Sequence, residues 1–254
     1  MAPSIDNYPD VFNERGASYH RAMIEQPLAR ANEFRLALEK ARLQQGMRVC
    51  DVPSGGGYLT DFIDKDIQLI GIEYSRLFAS FGERSPRAQS ILASIPQLSF
   101  QDASCDRVIS IAGLHHFDAD QKSGFFSEAC RILSKEGLLL VADVDIGSPV
   151  AGFLDGFVGK HNVTGHDGQY LDESTPMMLR RAGFDLCDDR VEHYPWEFSG
   201  ADRMAEYCRL LFGLEGIDPI EIRRGIGEYL GYRESKTGCR MNWQLRYVLA
   251  KKTR

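Results

Sequence analysis

The chain lacks the features that mark several common protein classes. It has no run of about 18 apolar residues, and its first ten residues, MAPSIDNYPD, contain no apolar signal core. Its six cysteines form no C-x-x-C pair, which disfavours a zinc site and a disulfide framework. We therefore expect a cytoplasmic protein with free thiols and no membrane association.

A basic stripe is also missing. Lys and Arg total 30 against 36 Asp and Glu, which gives a formal net charge of −6. Because neutralised phosphates supply most of the affinity for a nucleic-acid backbone, this balance disfavours a nucleic-acid partner. The 254 residues, 43% of them hydrophobic, suffice for one substantial core, and no Pro/Ser/Gly-rich linker divides them. We expect one domain over residues 1–254, as a monomer or a homodimer.

Short apolar runs alternate with helix-like segments between residues 46 and 145. This alternation is typical of a parallel sheet that is buried on both faces and binds its ligand at the carboxyl ends of the strands. The predicted strands are 47–52, 68–73, 87–92, 106–112 and 137–144, and the predicted helices are 58–64, 76–81 and 121–133.

Helical segments flank this region. Apolar positions at helical spacing run from 11 to 45 and stop at Gly46, which predicts an N-terminal helical cap over residues 1–45. Residues 146–254 predict a helix and a loop, a helix at 175–184, a strand or strand pair at 184–198 and a final strand. A helical insertion at about 200–235 lies between the last strands, where we expect a lid over the strand ends.

The stretch CDVPSGGGYL, residues 50–59, contains three consecutive glycines. A P-loop requires a Lys-Ser or Lys-Thr that is absent here, and the dinucleotide fingerprint requires a third spaced glycine where Thr60 stands. The Tyr-x-x-x-Lys spacing of short-chain dehydrogenases occurs at Tyr232–Lys236, but in a predicted loop, where chance explains it better. Nucleoside triphosphates and NAD are therefore disfavoured.

Two acids follow the first two strands. Asp51 precedes the glycine loop, and Glu73 ends the second strand, where a carboxylate can accept both hydroxyls of a ribose. Their alternative roles are a helix cap and a solvated strand end. One acid beside the loop and one on the ribose suit a nucleoside with a cationic amino-acid tail, which describes S-adenosylmethionine.

Four motifs in order give the chain a family resemblance. They are VCDVPSGGGYL, IGIEYS, LSFQDASCDRVISIAGLHHF and EACRILSKEGLLLVADV. With them the chain resembles the class I S-adenosylmethionine-dependent methyltransferases, in particular the type 11 group that includes quinone C-methyltransferases. The resemblance covers residues 46–145, the cofactor-binding half, and leaves 146–254 as the acceptor-binding half. It implies an α/β, Rossmann-like, doubly wound, mostly parallel sheet of seven strands.

The resemblance also implies S-adenosyl-L-methionine as cofactor. Two departures stand out: Pro53 replaces the first glycine of the family loop, and residues 93–95 replace a Gly-Asp-Ala whose acid contacts adenine. Adenine recognition is then expected from the Ser94 hydroxyl and the Ile95 backbone N–H. The predicted cofactor-binding residues are Tyr19, Asp51, Pro53, Ser54, Gly55, Gly57, Glu73, Tyr74, Ser94, Ile95 and Ala112.

Three histidines are the candidate catalytic residues. His115 and His116 end the fourth strand, where the transferred methyl group is expected, and His166 lies in the loop region after the fifth strand. A histidine there can accept the proton of the acceptor, and a structural hydrogen bond is the equal alternative for the pair. Asp143 or Asp145 with these histidines shows no spacing typical of a metal site, so none is expected.

The acceptor stays open at this point. No N-P-P-Y-like motif and no Pro-Cys nucleophile occurs, which disfavours adenine-N, glutamine-amide and cytosine methylation. The prediction is methyl transfer to oxygen, nitrogen or carbon of a small organic molecule, with secondary metabolism as one setting. Trp196, Tyr194 and Trp243 are predicted either to line an acceptor pocket or to pack in the core. Two alternatives remain: a catalytically silent S-adenosylmethionine-binding protein, and an NAD-dependent oxidoreductase.

Overall fold

A single sheet organises the part of the chain that the computed structural model describes, which is residues 8–82, 88–93, 98, 100–162 and 164–253. Within these residues the sheet has eight strands in the order β3-β2-β1-β4-β5-β8-β6, with β7 paired to β8 outside that path. The strands are β1 Arg48–Asp51, β2 Gln68–Glu73, β3 Ala88–Leu92, β4 Cys105–Ile111, β5 Leu133–Asp143, β6 Phe184–Phe198, β7 Tyr232–Ser235 and β8 Gly238–Lys252.

Strands β1 to β5 pair in parallel, and β8 pairs antiparallel with both β5 and β6. After an exposed first residue, β1 and β2 are buried throughout, which explains their continuous apolar sequences. Two hydrophobic clusters cover opposite faces of the sheet. The expected α/β, Rossmann-like, mostly parallel seven-stranded sheet is thus confirmed, with β7 as a short addition.

Helices pack on both faces. They are α1 Tyr8–Glu25, α2 Ala31–Lys40, α3 Arg76–Gly82, α4 Ala119–Ile132, α5 Pro149–Gly152, α6 Gly159–His161, α7 Thr175–Arg181, α8 Ala201–Phe212 and α9 Pro219–Tyr229, with a π-helical segment at Phe153–Val158. Among the helices described, none is long and apolar enough to cross a membrane.

Most predicted elements are confirmed, two differ, and one open alternative is decided. The predicted helix at 58–64 is a shorter 3-10 turn, Tyr58–Phe62, that begins after Gly57 in the left-handed conformation. The strand or strand pair at 184–198 is one long strand, β6. Tyr232–Ser235 was expected in a loop and instead forms β7, because it pairs with the start of β8 as a hairpin.

Helices from distant parts of the sequence meet above the carboxyl ends of β1 and β4. The N-terminal helix α1 packs against α8, and α8 packs against α9. Both α8 and α9 lie in the insertion between β6 and β7. The N-terminal cap and the insertion therefore form a shared roof over the strand ends.

Candidate active site

A cavity of about 950 Å³, including its open mouth, lies under this roof. Its floor is the loop after β1 and the residues after β4, and its walls come from α1, α8, β6 and β8. The lining residues are Tyr8, Phe12, Arg15, Tyr19, Arg30, Phe34, Asp51, Pro53, Ser54, Gly55, Tyr58, Leu59, Phe78, Ile111, Ala112, Gly113, His115, His116, Val144, Leu154, His166, Trp196, Leu211, Phe212 and Trp243.

The glycine loop closes one end of the cavity. Gly55 and Gly57 have φ values of +55° and +73°, which a residue with a side chain adopts only under strain. A Cβ at Gly57 would also lie 3.1 Å from the Cα of Gly82, so the loop packs tightly on α3. Pro53 has a cis peptide bond and packs against Gly113. The backbone at Gly55 therefore borders the cavity with no side chain in between.

Asp51 and Ser54 offer unused polar groups at this end. The Asp51 side chain has no hydrogen-bond partner among the described residues, and the buried Ser54 hydroxyl has none either. Burial, reinforced by the nearby charge of Glu73, raises the pKa of Asp51 well above its usual range. A buried carboxylate without a partner at a cavity wall favours a cationic ligand group, such as the ammonium of an amino acid.

Glu73 has a full set of donors at the end of β2. Its Oε2 accepts from the backbone N–H of Gly55 at 2.7 Å and from the Tyr8 hydroxyl at 3.2 Å. Its Oε1 accepts from the backbone N–H groups of Tyr74 and Ser75, each at 2.8 Å. Burial raises the pKa of Glu73 to about 7, against the lowering effect of these bonds. Its side chain does not line the cavity, because Tyr8 stands between them.

The remaining predicted cofactor residues divide into three groups. Tyr19 and Ala112 line the cavity, and the Tyr19 hydroxyl accepts from Arg30 at 2.5 Å. Tyr74 lies outside the lining and packs edge-on against Tyr8 and Phe117. Ser94 and Ile95 fall outside the described residues.

His115 is oriented by a carboxylate beneath it. Its Nδ1 lies 2.7 Å from Asp143 Oδ1, and Asp143 also accepts from the backbone N–H groups of Gly113, Leu114 and Val144 at 2.7 to 3.0 Å. Burial acts to raise the pKa of Asp143, but His115 and these hydrogen bonds lower it overall. The Asp143 carboxylate therefore acts as an acceptor, so Nδ1 of His115 donates to it and Nε2 is left without a hydrogen-bond partner among the described residues.

His166 has the same arrangement with a second carboxylate. Its Nδ1 lies 3.0 Å from Asp155 Oδ1, which also accepts from the Tyr170 hydroxyl and the Gly168 N–H. Burial lowers the pKa of His166, although Asp155 opposes the shift. The ring centroids of His166 and His115 are 5.6 Å apart. Two histidines held at Nδ1 therefore meet at one cavity.

His116 lies beside both rings, at 4.2 Å from His115 and 5.9 Å from His166 between centroids, but has no carboxylate partner among the described residues. It packs edge-on against Tyr8 and Phe12, and no hydrogen bond joins its ring to the described residues. Burial and the charges of His115, His166 and Arg15 lower the pKa of His116 well below its ordinary value. This ring is neutral at pH 7. The other histidine of the loop, His161, packs on Phe157 and does not reach the cavity.

Aromatic residues of β6, β8 and α8 form one wall of the cavity. The rings of Trp196 and Trp243 stack with centroids 4.1 Å apart, and Phe212 lies nearly parallel to both at 6.2 to 6.3 Å. Tyr194 instead lies in the core, where its hydroxyl bonds Glu33 and Tyr247. Trp196 and Trp243 thus belong to the cavity as well as to the core.

Arg15, Arg30 and Asp155 line or support the cavity without having been predicted. Arg15 lies on α1 and Arg30 immediately precedes α2. The spacing of apolar residues in these segments does not reveal which side chains will face the cavity. Asp155, in the π-helical segment Phe153–Val158, precedes its partner His166 by 11 positions, and no regular spacing in the sequence links the two. Their signal exists only after the fold brings them together.

No group of three His, Cys, Asp or Glu side chains among the described residues could hold a metal ion. Asp143 is hydrogen-bonded to His115, and Asp145 pairs with Arg246 at 3.1 Å.

The six cysteines are free, and Cys50 and Cys105 are buried neighbours with their sulfurs 2.9 Å apart.

Comparisons with known proteins agree with this geometry. Residues 50–141 match the family model for a methyltransferase domain. Cyclopropane mycolic acid synthase MmaA2 of Mycobacterium tuberculosis is 31% identical over 115 residues, which are 42% of this chain and 39% of that protein. The chain therefore covers about two fifths of the length of this curated relative.

Solved structures extend the similarity to the whole fold. A S-adenosylmethionine-dependent methyltransferase of Thermotoga maritima, described as a possible histamine N-methyltransferase, has a TM-score of 0.63 at 18% identity, over 98% of this chain and 100% of that one. The [4+2]-cyclase SpnF has a TM-score of 0.61 at 17% identity, over 99% and 98% of the two chains. At these identities the similarity concerns the fold alone.

Proposed function

We propose that the chain transfers a methyl group from S-adenosylmethionine to a small organic acceptor, because residues 50–141 match the family model for a methyltransferase domain. The observation that carries the proposal is the unpartnered Asp51 carboxylate beside Gly55, in the same cavity as two histidines anchored at Nδ1. The residues at Asp51 and Gly55 suit the cofactor, and the two histidines suit an acceptor that carries a proton.

The residues at the glycine loop fit the cofactor's amino-acid tail. Asp51 is expected to accept from the ammonium group, and the Ser54 hydroxyl and Gly55 backbone border the same space. Glu73 would hold the ribose hydroxyls once Tyr8 moves away from its Oε2. When bound, S-adenosylmethionine supplies an electrophilic methyl group on a positively charged sulfur.

The chain's own contribution is alignment and proton removal. Methyl transfer is an in-line displacement, so the enzyme must hold the acceptor in line with the sulfur–methyl bond and exclude water. Asp51 and the Gly55 loop would hold the cofactor, which would supply the methyl group to the acceptor atom. The acceptor proton passes to Nε2 of His115, where the Asp143 carboxylate stabilises the resulting positive charge.

His166 is the second candidate base. Its Asp155 and Tyr170 partners fix the ring in the same sense, and its side chain is only 7% exposed. An oxygen or nitrogen acceptor with an exchangeable proton fits two such bases. The resemblance to quinone C-methyltransferases concerns the cofactor-binding half, so carbon methylation rests on that resemblance alone.

Calorimetric titration with S-adenosylhomocysteine tests the cofactor half of this proposal. We expect the wild-type chain to bind, and Asp51→Asn to weaken binding by about ten- to a hundredfold, because a charge-assisted hydrogen bond contributes about 1.5 to 3 kcal/mol. Asp64→Asn, an exposed acid after the same turn, is the matched control and should bind like wild type. Absence of binding to the wild-type chain would refute the proposal.

A labelled-methyl assay tests the catalytic half. The chain is incubated with methyl-tritiated S-adenosylmethionine and a small-molecule extract of its host, and we expect label in an organic product. His115→Gln should reduce that label while leaving S-adenosylhomocysteine affinity unchanged. A chain that binds S-adenosylhomocysteine but transfers no label would be the catalytically silent S-adenosylmethionine-binding protein. SpnF, a protein of similar fold that is named as a [4+2]-cyclase, is the reason to distinguish binding from methyl transfer.

A further inference from the structure

Arg15 is a buried cation without an acidic partner. Its side chain lies on α1 and lines the cavity, with 9% of the residue exposed. One terminal nitrogen donates to the Leu211 carbonyl at 3.3 Å, and Nε is buried with no acceptor among the described residues. Burial lowers the pKa of Arg15 to about 10, which still leaves it charged at pH 7. A buried charge in this state is costly unless a ligand neutralises it.

The other buried arginines show what a satisfied guanidinium looks like in this protein. Arg30, in the same cavity, forms an ion pair with Glu33 through both Nε and a terminal nitrogen. Arg107 donates to three backbone carbonyls, those of Ala41, Arg42 and Asp106. Among these three arginines, Arg15 alone has a buried nitrogen without an acceptor among the described residues, and its side chain lines the cavity.

A second residue of the cavity lining also has a buried donor without an acceptor. The indole Nε1 of Trp243 is buried and has no hydrogen-bond acceptor among the described residues. The Trp243 ring stacks on Trp196, and Phe212 lies nearly parallel to both. A ligand that satisfies this site must therefore offer hydrogen-bond acceptors together with a planar apolar surface.

We propose that the methyl acceptor is a planar aromatic carboxylate, a deepening that rests on the methyl-transfer function proposed above. Arg15 binds the carboxylate, the ring packs on the wall formed by Trp196, Trp243 and Phe212, and the Trp243 N–H donates to an oxygen of the acceptor. The hydroxyl or amine to be methylated then faces His115 or His166. Arg15 is a specificity-determining residue in this arrangement.

The carboxylate of the cofactor's methionine tail is the other possible source of this chemistry. The surroundings of Arg15 favour the acceptor. Its guanidinium rests on Leu211 and against Gly213, where an added Cβ would lie 2.9 Å from Nε, so it faces the lid rather than the glycine loop. Its charge also acts on His116 and His166, at the proposed acceptor end.

Calorimetric titrations in saturating S-adenosylhomocysteine test the proposal. The probes are benzoate, 4-hydroxybenzoate and indole-3-carboxylate, each compared with its neutral carboxamide. We expect at least one carboxylate to bind wild type about tenfold or more tightly than its amide, since it alone pairs with the guanidinium. Arg15→Met should abolish that preference, Arg15→Lys should restore part of it, and Arg209→Met, a surface arginine of α8 paired with Glu206, should not alter it.

The outcomes separate this proposal from the function on which it rests. If wild type binds S-adenosylhomocysteine but prefers none of the three carboxylates, the acceptor class is wrong and the methyl-transfer function stands. If Arg15→Met keeps its urea midpoint but weakens S-adenosylhomocysteine about tenfold or more, Arg15 holds the methionine carboxylate and the proposal is overturned. If wild type binds no S-adenosylhomocysteine, the proposed function itself fails.

Discussion

At the scale of single residues, two carboxylates from separate parts of the chain do the same task. Asp143 at the end of β5 and Asp155 in the π-helical segment each accept from Nδ1 of a histidine. Each thereby fixes a tautomer whose Nε2 is free, and a base must be deprotonated to act. The sequence predicted the histidines from their place after β4 and β5, but not the pairing of His166 with Asp155, because that contact depends on how the loop folds back.

Glu73 gives a prediction about pH. A glutamate in an unfolded chain has a pKa of about 4.3, whereas burial raises the pKa of Glu73 to about 7. Between these values the folded state holds more protons, so the free energy of unfolding should fall as the pH rises through this window. Urea denaturation from about pH 5 to pH 8 should show wild type losing roughly 1 to 3 kcal/mol relative to Glu73→Gln. Parallel pH profiles for the two chains would contradict this.

Gly57 and Gly46 form a matched pair for the loop. Both have positive φ, +73° and +79°, but a Cβ at Gly57 would contact the Gly82 backbone, whereas one at Gly46 would meet nothing within 4 Å. Gly46→Ala should therefore lower the free energy of unfolding only by the cost of a left-handed backbone conformation at alanine, about 1 to 2 kcal/mol. Gly57→Ala should lose more in urea denaturation and should also weaken S-adenosylhomocysteine. Equal losses would show that contact with α3 does not constrain the loop.

At the scale of elements, the strands of the cofactor-binding half could be predicted because each is an uninterrupted apolar run. β2 occupies the predicted residues 68–73, and β3 begins one residue after its predicted start. β7 could not be predicted in this way, since three of its four residues are exposed and it is a strand only through its pairing with β8. The roof over the cavity was foreseen as a lid, but not which residues it brings to the site.

The buried carboxylate of Glu33 ties helix α2 to β6. Glu33 pairs with Arg30 and accepts from Trp196 Nε1 at 3.1 Å and from the Tyr194 hydroxyl at 3.4 Å. Glu33→Gln leaves the Arg30 charge buried and unpaired, so it should lower the free energy of unfolding by about 3 to 5 kcal/mol.

The control for Glu33 is an ion pair at the surface of α1. Arg21 and Glu25 lie 2.6 Å apart in the i,i+4 arrangement with both side chains exposed. Because such pairs contribute little in water, Glu25→Gln should leave the urea midpoint unchanged. A loss in Glu33→Gln no greater than in this control would show that the buried network does not hold α2 in place.

At the scale of the whole molecule, a ligand in the cavity contacts both halves of the chain. Its walls come from α1, the loop after β1, α8 and β8. S-adenosylhomocysteine at about 100 times its dissociation constant should therefore raise the free energy of unfolding by about 2.7 kcal/mol in one cooperative transition. At the same concentration Asp51→Asn should show a smaller rise and Asp64→Asn the full one. A rise confined to part of the transition would mean that the halves unfold separately.

The hydrogen bond from Tyr8 to Glu73 has a consequence for the order in which cofactor and acceptor bind. In this structure the first turn of α1 offers its own hydroxyl to the carboxylate that we assign to the ribose. Chain and nucleoside would then compete for one acceptor, and cofactor arrival would be coupled to release of the helix start. Helix α1 also carries Arg15. The position of α1 after the ribose has replaced the Tyr8 hydroxyl would therefore decide whether Arg15 can pair with the carboxylate of the acceptor. Such coupling favours ordered kinetics, with the cofactor first and the acceptor second.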